Sequence, residues 1–378
     1  MKVLQVIPNL GAGGAEQAAV DINAALTAVG DQSLVVSAGG NRVPEIIAAG
    51  GRHITLPVAS KNPLTIMLNS ERLAKIIRDE RVDIVHARSR APAWSALLAA
   101  RQTGCRFITT FHAAYRYANP FKKLYNRVML RGDHVIAISD FVAQHIRENY
   151  NLPPERITII HRGIDLTRFD RANVSIQRLQ TLRSLWKLQP QQRVILLPAR
   201  LSPIKGQKVL IAAMRLLREQ GALNDTVAVI IGAAQGRRGY VRQMWEQIVG
   251  GQLSDHVVLA DHCDDMPAAY AVADLAVMPS LVPEGFGRVP VEAQAMGVPV
   301  IATDLGATRE TILPDVTGWL IPPDDPQALA EKIRLALALT PVERVALADQ
   351  ATVLARQRFD LSVMTAATLA VYKRVLAA

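Results

Sequence analysis

Apolar positions along this chain follow two rhythms that take turns. Short apolar runs, VLQVI (3–7), SLVVS (33–37), HITLPV (53–58), DIVHA (83–87), RFITTF (106–111), HVIAIS (134–139) and ITIIHR (157–162), predict buried strands. Segments of helical length at 14–29, 41–50, 67–80, 92–103 and 139–149 lie between several of them. Strands separated by helices predict a parallel, doubly wound α/β sheet. The second half repeats the alternation with strands near RVILLPA (193–199), VAVIIG (227–232), VVLA (257–260), LAVMP (275–279) and PVIAT (299–303). From Asp165 to about Gln192 the chain is polar and shows no clear strand, so a junction falls near its start, with room for a helix. The pattern therefore predicts two Rossmann-like domains whose strand ends, where ligands usually bind, line a cleft.

Length agrees with that division, because 378 residues exceed one ordinary core. Half the residues are hydrophobic and 20% are charged, which excludes a disordered chain. No apolar run approaches the roughly 18 residues of a membrane span, and Pro8 interrupts the first hydrophobic stretch, so neither a span nor a signal peptide is expected. Cys105 and Cys263 are too few for a disulfide framework or a metal cage, and the cytoplasm is the expected compartment. The net charge of +10 is uneven: residues 1–168 carry 21 Lys and Arg against 13 Asp and Glu, and residues 169–378 carry 22 against 20. A basic first half suggests a polyanionic partner: nucleic acid, an anionic membrane or a phosphorylated substrate.

Three strand-end loops carry candidate chemistry. NLGAGGAEQAAV follows the first strand and opens a helix, so that Gly13 and Gly14 allow close backbone approach and the helix start offers N–H groups to a phosphate. It matches the G-x-G-x-x-G template imperfectly, since Glu16 stands at the last glycine position, and a plain tight turn is the alternative. In ARLSPIKGQ (199–207), Arg200 and Lys205 flank a turn between strand and helix and suit a diphosphate, Arg as a planar fork and Lys as a point charge. GAAQGRRGY, after the next strand, extends this rim. In PEGFGRVPVEAQAMGVPVIATDLGATRE (283–310), Glu284 and Glu292 stand eight residues apart, the second in a helix that begins after a glycine-rich turn. Carboxylates so spaced suit a ligand's reacting end and sugar hydroxyls deeper in, with the N–H groups of Phe286, Gly287 and Arg288 at the helix mouth.

The pair Glu284 and Glu292 within EGFGRVPVEAQAMGVPVIAT resembles the signature of retaining GT-B glycosyltransferases, glycosyltransferase family 4 (group 1 type) in particular. The likeness extends in order through GGAE (13–16), FH (111–112), ISDF (138–141), RGIDLTRF (162–169), ARLSPIKG (199–206) and TGWLIPPDDP (317–326). It implies an N-terminal acceptor-side domain of residues 1–165 plus a C-terminal helix at 362–378, and a nucleotide-sugar-binding domain of residues 166–361. By this resemblance Arg200 and Lys205 would bind the diphosphate, Glu292 the ribose, and Glu284 the donor sugar, with backbone contacts from Gly285, Phe286 and Gly287. Gly13 and Gly14 would close over the diphosphate and sugar, and His112 would lie beside the reacting centre, as a base or as a positioning residue. RGID departs from the family in carrying His161 and Arg162 where an asparagine often precedes the glycine, and GAAQGRRG lacks the usual acid. The sequence has no D-x-D motif, so cation-assisted departure of the diphosphate without a bound metal or cofactor is expected.

Between His112 and Arg131 lie Arg116, Lys122, Lys123, Arg127 and Arg131, with Tyr115, Tyr117, Phe121 and Tyr125 interleaved and no acid. The stretch 115–131 suits either peripheral contact with anionic lipid at the inner face of the cytoplasmic membrane or the phosphates of a glycolipid acceptor; a solvated helix is the bland alternative. Nucleic acid is not expected, because no helix-turn-helix, zinc-finger or RNP signature occurs. The expected activity is transfer of a sugar from a nucleotide-diphosphate sugar to a glycolipid or saccharide of the lipopolysaccharide or exopolysaccharide type. An epimerase or phosphorylase on the same scaffold and a non-enzymatic anionic-surface binding module are the alternatives.

Overall fold

The alternating pattern folds into two α/β units, one of residues Met1–Gly163 with Leu361–Ala378, the other of Ile164–Asp360. The computed structural model describes residues 1–378 except Ala12, Arg116 and Ala118, so Arg116, one of the cations singled out above, lies outside the described residues. Among the described residues the first unit holds β1 (Lys2–Val6), β2 (Gln32–Ser37), β3 (Arg52–Thr55), β4 (Ile84–Ala87), β5 (Arg106–Phe111), β6 (His134–Ala137) and β7 (Ile157–Ile159). They form one parallel sheet in the order β3-β2-β1-β4-β5-β6-β7. The second unit holds β8 (Arg193–Pro198), β9 (Thr226–Ile231), β10 (Val257–Ala260), β11 (Leu275–Met278), β12 (Val300–Thr303) and β13 (Trp319–Ile321), in the order β10-β9-β8-β11-β12-β13. In each sheet the order reverses direction once, between β1 and β4 and between β8 and β11. Such a switch point opens a crevice at the strands' carboxyl ends.

Buried strands explain the continuous apolar runs, because helices cover both faces. On one face of the first sheet Val3, Ile84, Ile108 and Ile136 pack with Ile22 and Leu26 of the helix Gly14–Ala28. The same cluster takes Met364, Leu369, Tyr372 and Val375 from the helix Leu361–Ala377, so the last helix of the chain completes the first unit. In the second unit Ile195, Leu197, Ile230 and Val277 pack with Val209, Met214 and Leu217 of the strongly amphipathic helix Gln207–Glu219.

Several predicted elements change their limits. β3 ends at Thr55, before Pro57, which has no N–H to give a ladder. β6 ends at Ala137 because Ser139 caps the next helix, its Oγ accepting from Val142 N at 3.1 Å; β7, paired only to β6, then stops at Ile159. The polar junction contains the helix Ile176–Leu185, capped by Ser175. Ile176 and Leu185 are 73% and 70% exposed and Leu182 is the buried one, which is why no apolar stripe announces this helix. β13, three residues long, was too short to read as a run.

Candidate active site

The switch point of the second sheet brings together the loops after β8 and β11. Leu281 N donates to Ile204 O at 2.9 Å, joining the two loops. Lys205 closes a single 3-10 turn, Pro203–Lys205, and Gly206 follows at φ +70°, where an added Cβ would collide with the Pro279 carbonyl. Only glycine fits there, so the chain turns sharply into the helix Gln207–Glu219 and Lys205 faces the β11 loop. Its Nζ lies 2.6 Å from Glu284 Oε1, which also accepts from Ser280 Oγ at 2.6 Å. The loop after β12 buttresses the same residue: Ala307 N donates to Glu284 O at 3.1 Å, and a Cβ on Gly306 would strike that carbonyl.

Arg200 stands at the start of the β8 loop, exposed, with its carbonyl held by Gln207 Nε2 at 3.0 Å. Leu201 N donates to Ala233 O at 3.2 Å, so GAAQG lies against this loop. The two predicted diphosphate cations thus differ: Arg200 is open to solvent, whereas Lys205 is ion-paired and fixed. After Glu284 the backbone passes Gly285 and Phe286, whose side chain is 3% exposed and packs edge-on against Phe359 at 5.4 Å. Gly287, at φ +86°, opens the helix Arg288–Ala295. Glu292 is 8% exposed, and both oxygens are already engaged: Oε1 accepts from Arg288 at 3.0 Å (Nε) and 2.8 Å (Nη2), Oε2 from Tyr270 OH at 3.0 Å. Burial, then the neighbouring Glu292 charge, holds the Tyr270 hydroxyl protonated, far above its ordinary range. A carboxylate has about four acceptor positions, so Glu292 retains capacity for one further hydroxyl donor, on Oε2.

Sequence reasoning missed Ser280, Tyr270 and the side chain of Arg288, whose backbone N–H alone had been singled out. Arg288 was readable as an i,i+4 partner of Glu292; Tyr270 reaches Glu292 only through the fold.

In the first unit the glycine turn differs from a phosphate cradle. Gly13 is extended at φ −166° and caps the helix Gly14–Ala28, but the space a Cβ would fill is taken by the Glu16 carboxylate. An acid in the first turn already satisfies the helix dipole and disfavours an anion there. His112, past the end of β5, has Nδ1 2.6 Å from Arg162 Nη2. A guanidinium only donates, so Nδ1 accepts and the proton of the neutral ring sits on Nε2, which is buried and has no partner among the described residues. Burial, then Arg162, Arg88 and His86, keeps this imidazole neutral, its pKa well below 6.5. Of the two roles expected for His112, base or positioning residue, this geometry favours the second, because the atom without a partner is a donor. Beneath it lies His86, bridging Tyr372 OH at 2.6 Å and Thr110 Oγ1 at 2.7 Å, and Arg88, 2% exposed, whose Nε donates to Gln5 Oε1 at 2.6 Å.

These neutral imidazoles make stability depend on pH. His86 and His112 are held far below 6.5, and His134 is lowered to about 4 by burial and by Arg374 and Arg156. Below pH 6.5 the unfolded chain takes up protons that the folded rings refuse, so stability declines from about pH 6.5 toward pH 4. The urea midpoint is expected to fall between pH 7 and pH 5, and to fall less in His134→Gln; equal midpoints in the wild type would contradict the burial described.

Two family models match, Glycosyltransferase Family 4 over residues 12–168 and Glycosyl transferases group 1 over residues 180–352. The crystal structure of a glycosyltransferase from Rickettsia africae is 34% identical, superposes with a TM-score of 0.92, and is covered to 98% by 99% of this chain. A D-inositol 3-phosphate glycosyltransferase of Xylanimonas cellulosilytica is 30% identical across 77% of this chain and 71% of its own length. One from Jonesia denitrificans is 30% identical across 68% of this chain, which spans only 64% of that relative.

Proposed function

The chain belongs to the glycosyltransferases of family 4 and group 1, and from that premise we propose that it moves a sugar, with retention at the anomeric carbon, from a nucleoside-diphosphate sugar to an envelope glycolipid or saccharide. The observation that carries this reading is the meeting of Lys205, Glu284 and Ser280 at the switch point of the second sheet, one residue from the glycine turn that opens a helix. Lys205 and Arg200 stabilise charge on the departing diphosphate, and the amides of Gly287 and Arg288 add the helix mouth to the same task. Glu284 orients Lys205 and accepts from donor-sugar hydroxyls, and Glu292 takes a ribose hydroxyl with its one remaining acceptor position. The bond from the anomeric carbon to the diphosphate oxygen breaks, the acceptor oxygen bonds to that carbon on the same face, and the acceptor's proton passes to the diphosphate. In this scheme protein cations perform the work that a divalent metal does elsewhere. Taken by itself, the first unit offers the Nε2 proton of His112 to a substrate oxygen, and Gly13 and Gly14 offer backbone contacts to an uncharged part of a substrate.

Two measurements test the reading. A nucleoside diphosphate at about a hundred times its Kd is expected to raise the stability of the wild type by about 2.7 kcal/mol, and in Glu292→Gln this shift is expected to shrink. Incubation with the matching nucleotide sugar and an acceptor then releases nucleoside diphosphate. Failure of every common nucleoside diphosphate to stabilise the protein would sink the proposal.

A further inference from the structure

We propose that Tyr240 is a positioning residue for the transfer reaction, acting through Gln207 on the main chain of Arg200. All three residues belong to the second unit. The proposal rests on the glycosyltransferase reading for the task of Arg200, and the two can fail separately.

The two cations of the β8 loop are aimed by different means. Glu284 holds the Lys205 ammonium at 2.6 Å. Arg200 is exposed, and its guanidinium makes no hydrogen bond or ion pair among the described residues. A long side chain whose head is unheld takes its direction from its own backbone, which decides the rotamers open to it. That backbone is held at three points: Ala199 N donates to Ile231 O at 2.9 Å, Leu201 N to Ala233 O at 3.2 Å, and Arg200 O accepts from Gln207 Nε2 at 3.0 Å. Gly232 permits the close approach, since a Cβ there would lie 2.0 Å from Ala199 O.

The polarity of the third contact follows from chemistry. A carbonyl only accepts, so the Gln207 amide turns its NH2 to Arg200 and its Oε1 to Tyr240, whose hydroxyl then donates across 3.0 Å. Burial raises the pKa of that hydroxyl and keeps its proton in place. Turning the amide over would set Oε1 against the Arg200 carbonyl and waste the Tyr240 donor, so the tyrosine fixes the orientation in which Gln207 can hold Arg200.

Gln207 is fully buried at the start of the helix Gln207–Glu219, and Tyr240, in the helix Arg238–Gly250, is 8% exposed. A buried amide is costly unless both its ends are satisfied. Here its two bonds go to one carbonyl of the candidate catalytic loop and to one tyrosine. Ala233 and Tyr240 also belong to a single excursion of the chain, GAAQGRRGY (232–240). The segment that the sequence suggests as an extension of the cationic rim thus supports that rim through a carbonyl and a phenol.

The test is a double-mutant cycle on the whole chain, read as kcat for nucleoside-diphosphate release, with hydrogen exchange of the amides in 199–206 followed alongside. Tyr240→Phe keeps the ring and is expected to lower kcat about threefold to tenfold, the effect of one lost hydrogen bond, and Gln207→Leu at least as much. In an Arg200→Ala background, itself slower than the wild type, Tyr240→Phe is expected to cost nothing further. A merely structural role, by lowering the folded fraction, would instead scale both backgrounds equally. Exchange in 199–206 is expected to quicken at least about threefold in Tyr240→Phe. Arg242→Ala, on the same helix and paired with Glu246 at the surface, is expected to match the wild type in both readouts. Losses that multiply, wild-type kcat in Tyr240→Phe or in Arg200→Ala, or unchanged exchange would overturn the proposal. A wild type that releases no nucleoside diphosphate from any nucleotide sugar would remove the transferase reading, and faster exchange in Tyr240→Phe would then still show that Tyr240 holds the loop.

Discussion

Lys205→Ala is expected to lower kcat by about two to three orders of magnitude, the usual effect of removing one preorganised donor from developing negative charge. The donor KM should change far less, because Arg200 and the helix mouth remain. The ion pair sharpens the expectation. Glu284 Oε1 holds Nζ at 2.6 Å and is itself held by Ser280, so removing the acid also releases the cation. Glu284→Ala should therefore lose nearly as much kcat as Lys205→Ala, and the double variant little more than either alone. Residues that act as a unit are non-additive in this way. Independent roles would instead make the two losses multiply, and full kinetics on the four proteins distinguish the outcomes.

Tyr372→Ala is expected to destabilise the first unit by about 3–5 kcal/mol, the range for deleting a large buried aromatic side chain. At the size of this unit that corresponds to a fall of roughly 10 °C in its melting temperature. The side chain is fully buried in the cluster of Val3, Ile84, Ile108 and Ile136, and its hydroxyl lies 2.6 Å from His86 Nδ1 beside Arg88. Tyr372→Phe separates the two contributions. It keeps the packing and leaves buried polar partners unpaired, at a cost of about 1–3 kcal/mol. Calorimetry on both variants checks this, and an alanine variant within 1 kcal/mol of wild type would show that the last helix does not complete the core.

Much of this was legible because buried parallel strands write themselves as apolar runs and because glycines mark the turns that carry chemistry. Lys205, Glu284 and Glu292 could be picked from strand-end position and spacing. Their partners could not, since nothing in the sequence places Tyr270 OH on Glu292 or aims Lys205 at Glu284 across 79 residues. The state of His112 was equally hidden: Arg162 sat in a departure from the family pattern, and only the Nδ1 contact reveals which nitrogen carries the proton. The Glu16 carboxylate over Gly13 shows the converse case, where a glycine-rich loop read as an anion site already holds an acid.

The first unit is sewn from both ends of the chain, Met1–Gly163 and Leu361–Ala378. A ribosome making about 5–20 residues per second needs roughly 10–40 s to pass from one piece to the other. Throughout that interval the nascent sheet carries an uncovered oily face, while the intervening unit emerges and has all it requires to fold. Synthesis thus reverses the order of maturation, the earlier-made lobe being finished last, and a ribosome stalled before the final helix leaves a half-closed lobe exposed to proteases and chaperones.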